Sequence, residues 1–219
     1  MNKYIRYTLL FLVVASVAGV AYFYLLQKST PETITPLPTI DAPQQEPSQT
    51  EEKAIPPIPL PDAKERITKK PFGIYITSQN SPVQPEKFQG YHTGTDFETF
   101  SEEQDKEIAI SAICEGKAIS SGHVSGYGGL LIQNCSIDGQ KVTVLYGHLA
   151  LASLPKTNTD IKKGQRIGIL APADSSESSF ERKHLHLGIH KGETIDYSGY
   201  VNAKNQLDSW LDAELYYSK

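Results

Sequence analysis

The apolar positions of the chain fall into three patterns, each typical of a different kind of structure. Residues 7–26 are an uncharged apolar run of about 20 residues, which as a helix spans roughly 30 Å of hydrocarbon. From about residue 67, short apolar stretches separated by glycine-containing turns predict a mainly β domain. Near the C-terminus, an apolar spacing of i, i+3, i+4 and i+8 predicts a helix within 203–219 that packs on this domain. The spacing is carried by Leu207, Trp210, Leu211 and Leu215.

The first apolar run has the flanks of a membrane segment. Lys3 and Arg6 precede it, which predicts a cytoplasmic N-terminus, and the aromatic residues 22–24 suit a membrane interface. We therefore expect residues 1–28 to be an uncleaved transmembrane anchor with the rest of the chain outside the cytoplasm. The alternative is a secretory signal peptide, although the apolar core of such peptides is normally only about 7 to 15 residues long.

Residues 29–66 are rich in proline and polar side chains. Prolines recur from position 31 to position 61 among acidic and polar residues, so this stretch cannot bury a core. Proline-rich chain favours polyproline II at about 3.1 Å per residue, which predicts a tether of roughly 100 Å. The folded domain is then expected over residues 67–202.

Length and charge exclude one class of partner. The 219 residues, 39% hydrophobic and 21% charged, suit one globular domain with appendages. The formal net charge is -4 and the sequence lacks the clustered Lys and Arg that bind phosphate backbones. Nucleic acid is therefore not an expected partner.

Two turn signals organise the β region. Asp138-Gly139 readily adopts the positive φ angles of a tight turn and predicts a hairpin between the apolar stretches on either side. Glu115-Gly116 predicts a second hairpin in the same way.

The chain has two cysteines, Cys114 and Cys135, which this hairpin pattern would place at the ends of neighbouring strands. An exported domain keeps disulfides, so we expect a bridge between them. The alternatives are two buried free thiols, or a catalytic thiolate, for which no cationic neighbour is visible in the sequence.

Four of the six histidines stand in a context that suggests chemistry. His92 lies four residues before Asp96, with Gly94 between them as a flexible point at which both side chains can converge. Alone, this spacing is also that of an ordinary surface pair.

The other three occur in or beside probable strand sequences. In His184-Leu185-His186, alternate side chains of a strand share one face about 7 Å apart, so both imidazoles look into one cavity. His148 ends the strand that follows Asp138-Gly139 and can add an imidazole from a neighbouring strand.

Two histidines and one aspartate would leave the fourth tetrahedral position of zinc to water, as in catalytic zinc sites. Zinc lowers the pKa of that water towards roughly 7 and polarises a carbonyl. Two further histidines suit amide hydrolysis, one as general base and acid and the other as stabiliser of the oxyanion. Spacing alone does not separate the roles of His184 and His186. We assign His123 and His190 to structural roles, with His190 as the first substitute ligand because it shares the strand face of His186.

Five short motifs follow one another along the domain. They are His92-x-x-x-Asp96, Gly126-Tyr127-Gly128, Tyr146-Gly147-His148-Leu149, Ile161-Lys162-Lys163-Gly164-Gln165-x-Ile167-Gly168 and His184-Leu185-His186. In this order they resemble the lysostaphin/LytM-type zinc endopeptidases over about residues 72–202.

The resemblance implies a small antiparallel β fold, barrel-like or sandwich-like, with an active-site groove. It implies Zn²⁺ held by His92, Asp96 and His186, and His148 and His184 as the catalytic pair. It also implies an enzyme that cuts peptide cross-links or bridges of peptidoglycan.

Two features depart from the family pattern. Residues 171–183 replace a Gly/Thr-rich turn, and Leu187-Gly188 stands where Phe-Glu is common. These changes are expected to alter the wall of the active-site groove, and the three expected metal ligands are unchanged. Together with the tether they support a second hypothesis, a non-catalytic envelope module that binds peptidoglycan or activates another cell-wall hydrolase. An envelope regulatory protein is a candidate partner.

Overall fold

The described part of the chain consists mainly of short strands. A computed structural model describes residues 58–217; the expected anchor and most of the expected linker lie outside them. The strands are β1 (Tyr75–Ile76), β2 (Gly90–His92), β3 (Gly94–Glu98), β4 (Ala109–Ser111), β5 (Gly116–Val124), β6 (Gly128–Ile137), β7 (Gln140–Leu149), β8 (Asp160–Ile161), β9 (Arg166–Ile169), β10 (His184–Lys191), β11 (Tyr200–Val201) and β12 (Trp210–Leu211). The helical elements are α1 (Glu214–Tyr217) and 3₁₀ turns at Lys64–Arg66, Ser101–Glu103, Leu151–Ser153, Ser176–Ser178 and Lys204–Ser209. Within residues 58–217 no helix is long and apolar enough to cross a membrane.

The strands form three antiparallel sheets. The largest has the order β12-β10-β7-β6-β5-β8, with β3 also paired to β10. A second sheet has the order β1-β2-β11, and β4 pairs with β9. The mainly antiparallel β prediction is confirmed. The barrel-like closure is not found in residues 58–217, because β8 and β12 each pair on one side only and leave the large sheet open.

The centre of the large sheet is buried on both faces. Leu131, Val144 and Tyr146 point into the main hydrophobic core, whereas Leu130 and Leu145 belong to a smaller cluster. The period of two along β6 and β7 therefore divides their apolar residues between two clusters.

The hairpin at Asp138-Gly139 is confirmed. Ile137 pairs with Gln140, and both loop residues have positive φ angles, 50° at Asp138 and 75° at Gly139. This two-residue turn joins the longest strands of the large sheet, β6 and β7, and sets their register.

The hairpin predicted at Glu115-Gly116 is wrong. The preceding strand, β4, pairs with β9, and β5 pairs with β6 and β8. A Cβ on Gly116 would lie 1.8 Å from the carbonyl oxygen of Asn134. Glycine is thus needed for a close approach between strands, a requirement that sequence alone does not separate from a turn.

The packed structure begins before Ile67. Leu60 and Ala63 are 2% and 3% exposed and belong to the main core. Pro59 accepts a hydrogen bond from the backbone N of Ser111 at 2.8 Å. The proline-rich composition therefore extends into a segment whose apolar side chains are fixed by packing.

The single C-terminal helix predicted within residues 203–219 is not found in the described residues 203–217; shorter elements take its place. Trp210 pairs with His190 as part of β12, and α1 begins only at Glu214, whose backbone N donates to Asp212 Oδ1 at 2.9 Å. Leu215 is 63% exposed. The edge of β10 offers backbone partners that an isolated helical pattern cannot reveal.

The expected disulfide joins Cys114 and Cys135. Cys135 lies opposite Gly116 in the β5-β6 ladder, so Cys114, two residues before the start of β5, is within reach of it. The bridge lies at the end of β6 that is remote from His148 in the β6-β7 hairpin.

Replacing both cysteines by serine is expected to lower the free energy of unfolding by about 3 kcal/mol, because the bridge closes a loop between residues 21 positions apart. Urea denaturation of both proteins measures the difference. Metal binding under native conditions should not change, because the bridge is remote from the site described below. An unchanged midpoint would contradict a stabilising role for the bridge.

Candidate metal centre and active site

One face of β10 carries candidate site residues. Leu185 and Leu187 are completely buried in the main core, so the period of two directs His184 and His186 to the opposite face. Asp96 lies directly across the β3-β10 ladder from His186, which brings its carboxylate to the same face. The strand alternation inferred from His184-Leu185-His186 is therefore observed.

Three donor atoms from three strands meet beside this face. Nε2 of His92 is 3.1 Å from Nδ1 of His186 and 3.4 Å from Oδ1 of Asp96, and the latter two atoms are 3.1 Å apart. All three residues are at most 4% exposed. The structure thus brings together the three residues that the family resemblance assigns to the metal.

This donor set could hold a zinc ion. Zinc takes histidine nitrogens and carboxylate oxygens at about 2.0–2.2 Å, which in a tetrahedron places ligand atoms about 3.3–3.6 Å apart. The observed 3.1–3.4 Å needs only a slight expansion to accommodate the ion. Three protein ligands leave one position of the tetrahedron for water or substrate.

The segment before β1 fixes His92 and Asp96 through its backbone. Nδ1 of His92 donates to the carbonyl oxygen of Pro71 at 3.2 Å, and the backbone N of Asp96 donates to that of Lys70 at 3.0 Å. A proton on Nδ1 leaves Nε2 of His92 as a lone-pair donor facing the cluster, as metal binding requires. The sequence does not predict these contacts, because every residue has a backbone carbonyl group.

His148 and His184 lie side by side next to the three donors. Their ring centroids are 4.3 Å apart. Nδ1 of His148 donates to the carbonyl oxygen of Ser178 at 3.0 Å, and Nδ1 of His184 donates to that of Arg182 at 2.8 Å. In the neutral ring of His148, Nε2 is then the proton acceptor. Nε2 of His184 lies 3.4 Å from Oδ2 of Asp96.

The backbone of His148 is in the left-handed region, with φ 63°. This conformation costs a non-glycine residue on the order of 1–3 kcal/mol and is found preferentially at functional sites. The backbone N of His148 donates to the carbonyl oxygen of Tyr127 at 3.1 Å, and its ring is held by Ser178. These two hydrogen bonds stabilise the strained residue.

Electrostatics favour neutral rings at His148 and His186 and an ionised carboxylate at Asp96. Burial, reinforced by His184, holds the pKa of His148 well below its usual value, and burial lowers the pKa of His186 to about 4 despite its hydrogen bond to Asp96. Burial opposes ionisation of Asp96, but His184 and His92 more than offset it, so the pKa of this carboxyl is well below its ordinary value. Neutral imidazole and ionised carboxylate are the metal-binding forms.

Comparison with protein families identifies the domain. The family model described as peptidase family M23 matches residues 90–197. These residues form a peptidase family M23 domain. The resemblance drawn from the five motifs is therefore confirmed at the level of the family, whose members are typically zinc-dependent peptidoglycan hydrolases.

Solved structures similar to the M23 domain include three peptidases. The catalytic domain of the antimicrobial peptidase lysostaphin from Staphylococcus simulans is 19% identical, covers 71% of this chain and 96% of its own, and has a TM-score of 0.47. LytU is 24% identical, with coverages of 69% and 90% and a TM-score of 0.44. A zinc-containing peptidase from Vibrio cholerae is 18% identical, with coverages of 74% and 40% and a TM-score of 0.44. Among curated protein sequences there is no significant match.

The divergent loop 171–183 is built into the M23 site. It supplies the two carbonyl groups that orient His148 and His184. A Cβ on Gly128 would lie 1.9 Å from the carbonyl oxygen of Glu177, so the loop packs directly against the start of β6. The loop therefore positions the histidine pair in addition to forming part of the groove wall.

The remaining histidines lie outside the metal cluster. His123 is exposed on β5. The ring of His190 contacts Trp210 with centroids 4.9 Å apart, and its Nε2 is 3.9 Å from Asp196. Gly188, where the family commonly has another residue, makes room for Trp210, since its Cβ would lie 3.3 Å from that ring.

The cleft beside the cluster has a volume of about 320 Å³ and aromatic walls. Phe88 stacks on Tyr200 with centroids 5.3 Å apart, and Tyr127 also lines the cleft. Lys70, at the same wall, is neutralised by Glu86 at 2.7 Å. An aromatic surface with paired charges suits an extended peptide.

Gly94 has a different role from the flexible point expected of it. A Cβ there would lie 2.6 Å from Nε2 of His186 and 2.7 Å from the carbonyl oxygen of Leu187. Glycine is therefore required by the close approach of His186, and any side chain would displace that ring.

Gly94→Ala is expected to lower the free energy of unfolding by about 1–3 kcal/mol through overpacking, and to weaken metal binding because His186 must move. Gly164→Ala is the matched control: Gly164 has φ 76° and no other atoms near its Cβ position. It should cost about 1 kcal/mol through backbone strain and leave metal affinity unchanged. Denaturation and zinc titration measure both effects, and equal zinc affinity of the two variants would refute the steric role of Gly94.

Proposed function

We propose that this chain is a zinc metalloendopeptidase that hydrolyses peptide bonds in peptidoglycan cross-links or bridges. The observation that carries the proposal is the grouping of five side chains at one cleft. His92, Asp96 and His186 form a three-donor cluster, and His148 and His184 are oriented beside it. A module that only bound peptidoglycan would not need the second pair.

The five residues divide the chemistry of amide hydrolysis between them. His92, Asp96 and His186 would hold the zinc ion, which when bound supplies Lewis acidity and lowers the pKa of water towards about 7. His148, whose buried ring favours the neutral form, accepts a proton at Nε2 from the attacking water.

His184 is assigned to the oxyanion. Its Nε2 lies 3.4 Å from Oδ2 of Asp96, and a proton on that nitrogen would make the ring a hydrogen-bond donor to developing negative charge. The carbonyl groups of Ser178 and Arg182 keep both rings in place during the transfer. The proton accepted by His148 is later returned to the leaving amine.

The setting of this activity is proposed from the sequence. Residues 1–28 would anchor the protein in the cell membrane with the N-terminus in the cytoplasm, and the proline-rich segment would let the M23 domain reach peptidoglycan strands outside it. An envelope regulatory protein is the proposed macromolecular partner.

The proposal is tested with purified full-length protein. Zinc content is measured first, and the protein is then incubated with purified peptidoglycan while released peptides and new amino termini are analysed by mass spectrometry. One zinc per chain with new amino termini supports the enzyme and identifies the bond. Zinc without cleavage, together with binding to peptidoglycan, favours the non-catalytic module, and absence of zinc refutes the metal site.

A further inference from the structure

Arg182 reaches from the divergent loop to a carboxylate of the metal cluster. Its Nη2 donates to Oδ2 of Asp96 at 2.8 Å, and its Nε donates to both carboxylate oxygens of Glu98 at 2.9 Å. The side chains of Asp96 and Glu98 are 3% and 9% exposed and that of Arg182 is 15% exposed. One oxygen of Asp96 is thus held by a guanidinium while the other faces His92 and His186.

We propose that Arg182 is a positioning residue of the metal centre, which holds Oδ2 of Asp96 so that Oδ1 is the oxygen offered to the metal. This inference rests on the proposed zinc site. Ligating carboxylates are normally hydrogen-bonded by neighbouring groups, and removal of such partners weakens metal binding. The planar fork of arginine can bind two carboxylates at once, which the single ammonium of lysine cannot do in the same geometry.

Glu98 neutralises the Arg182 guanidinium, which lies beside the proposed metal ligand Asp96. Alone, the guanidinium would repel a metal ion bound by Asp96. Because Glu98 shares that guanidinium, the two side chains form a neutral pair, and the orienting effect on Asp96 remains. Asp96 and Glu98 are two residues apart on β3 and therefore face the same side of the sheet.

Arg182 and Arg66 differ in the groups that they bind. Nη1 of Arg182 is buried without a hydrogen-bond partner among residues 58–217, and leaving such a donor unpaired is destabilising. Arg66, by contrast, binds Glu103 through two nitrogens at 2.6 and 2.8 Å and also donates to two carbonyl groups. Arg66 and Glu103 form a saturated structural pair that reaches β3 through the backbone carbonyl group of Glu98, whereas Arg182 binds the carboxylate of the proposed ligand Asp96 itself.

The two pairs provide a matched experiment on the full-length protein. Arg182→Met combined with Glu98→Gln removes the positioning pair without changing net charge, and Arg66→Met combined with Glu103→Gln does the same to the structural pair. Zinc affinity is measured by competition with a chelator, and ligand geometry by the visible spectrum of the Co²⁺ form. We expect the first double variant to bind zinc about 10–100-fold more weakly with an altered Co²⁺ spectrum. The second should keep both properties.

Each outcome decides the role of Arg182. The proposal is overturned if the first double variant matches the wild type in affinity and spectrum, or if both double variants lose affinity by the same factor. If the first variant does not fold, Arg182→Lys replaces it, with about tenfold weaker zinc binding expected and unchanged binding overturning the proposal. Failure of the wild type to bind zinc would instead refute the proposed metal site.

Discussion

Asp96→Ala is expected to remove zinc and peptidoglycan hydrolysis together. Asp96 is the anionic member of the three-donor cluster, and its Oδ1 lies 3.4 Å from His92 and 3.1 Å from His186. Without it, two imidazoles remain, which is fewer protein ligands than catalytic zinc sites have. We expect zinc to fall from about one per chain to below about 0.1 after dialysis, measured by elemental analysis beside the release of peptides.

The matched control is Asp160→Ala. Asp160 has an exposed side chain that pairs with Lys117 at the sheet edge, away from the cluster. Exposed ion pairs contribute about 0–1 kcal/mol, so this variant should keep both zinc and activity. Near-ultraviolet circular dichroism separates loss of metal from loss of fold. An Asp96→Ala protein that stays zinc-loaded and active would rule out the proposed ligand set.

Local sequence patterns predicted those parts of the site that depend on one strand or one turn. Alternation along His184-Leu185-His186 placed the two imidazoles on one face because side chains in a strand alternate by geometry. Asp138-Gly139 predicted its hairpin because few residue pairs tolerate two positive φ angles.

Patterns failed where a competing long-range contact decided the structure. Residues 210–211 pair with the edge of β10 instead of continuing a helix, and Gly116 serves a close strand approach instead of a turn. Both local sequences are compatible with either outcome. Only the tertiary partner, distant in sequence, selects between them.

The surroundings of the metal cluster were beyond sequence reasoning for a related reason. The carbonyl groups of Pro71, Ser178 and Arg182 set the tautomers of three histidines. Any residue provides a carbonyl group, so composition cannot reveal these contacts. The guanidinium of Arg182 was visible in sequence, but the 86 residues between it and Asp96 left its partner undefined.

These contacts change the meaning of the divergent loop 171–183. A replaced family turn suggested an altered groove and kept the non-catalytic hypothesis in view. In the structure the loop orients both rings of the proposed catalytic pair, because its carbonyl groups accept hydrogen bonds from Nδ1 of His148 and His184. The loop therefore contributes to the arrangement on which the proposed activity rests.

His148→Asn is expected to separate catalysis from metal binding. Asparagine tolerates the left-handed backbone of residue 148 better than most residues, so the exchange removes the imidazole with little added strain. Zinc should remain at about one per chain, because His148 is not among the three donors. The value of kcat/KM should fall by about 10²–10⁴-fold, the usual contribution of a general base.

The control for this exchange is His123→Ala, which removes an exposed imidazole on β5 and should change neither zinc content nor kcat/KM. Measuring all three proteins with one synthetic cross-link peptide separates the two roles that histidines have at this cleft. Loss of zinc from His148→Asn would make His148 a ligand and refute the division of labour proposed here. Retained zinc with full activity would refute its role as a base, since the ring held by Ser178 would then have no part in the chemistry.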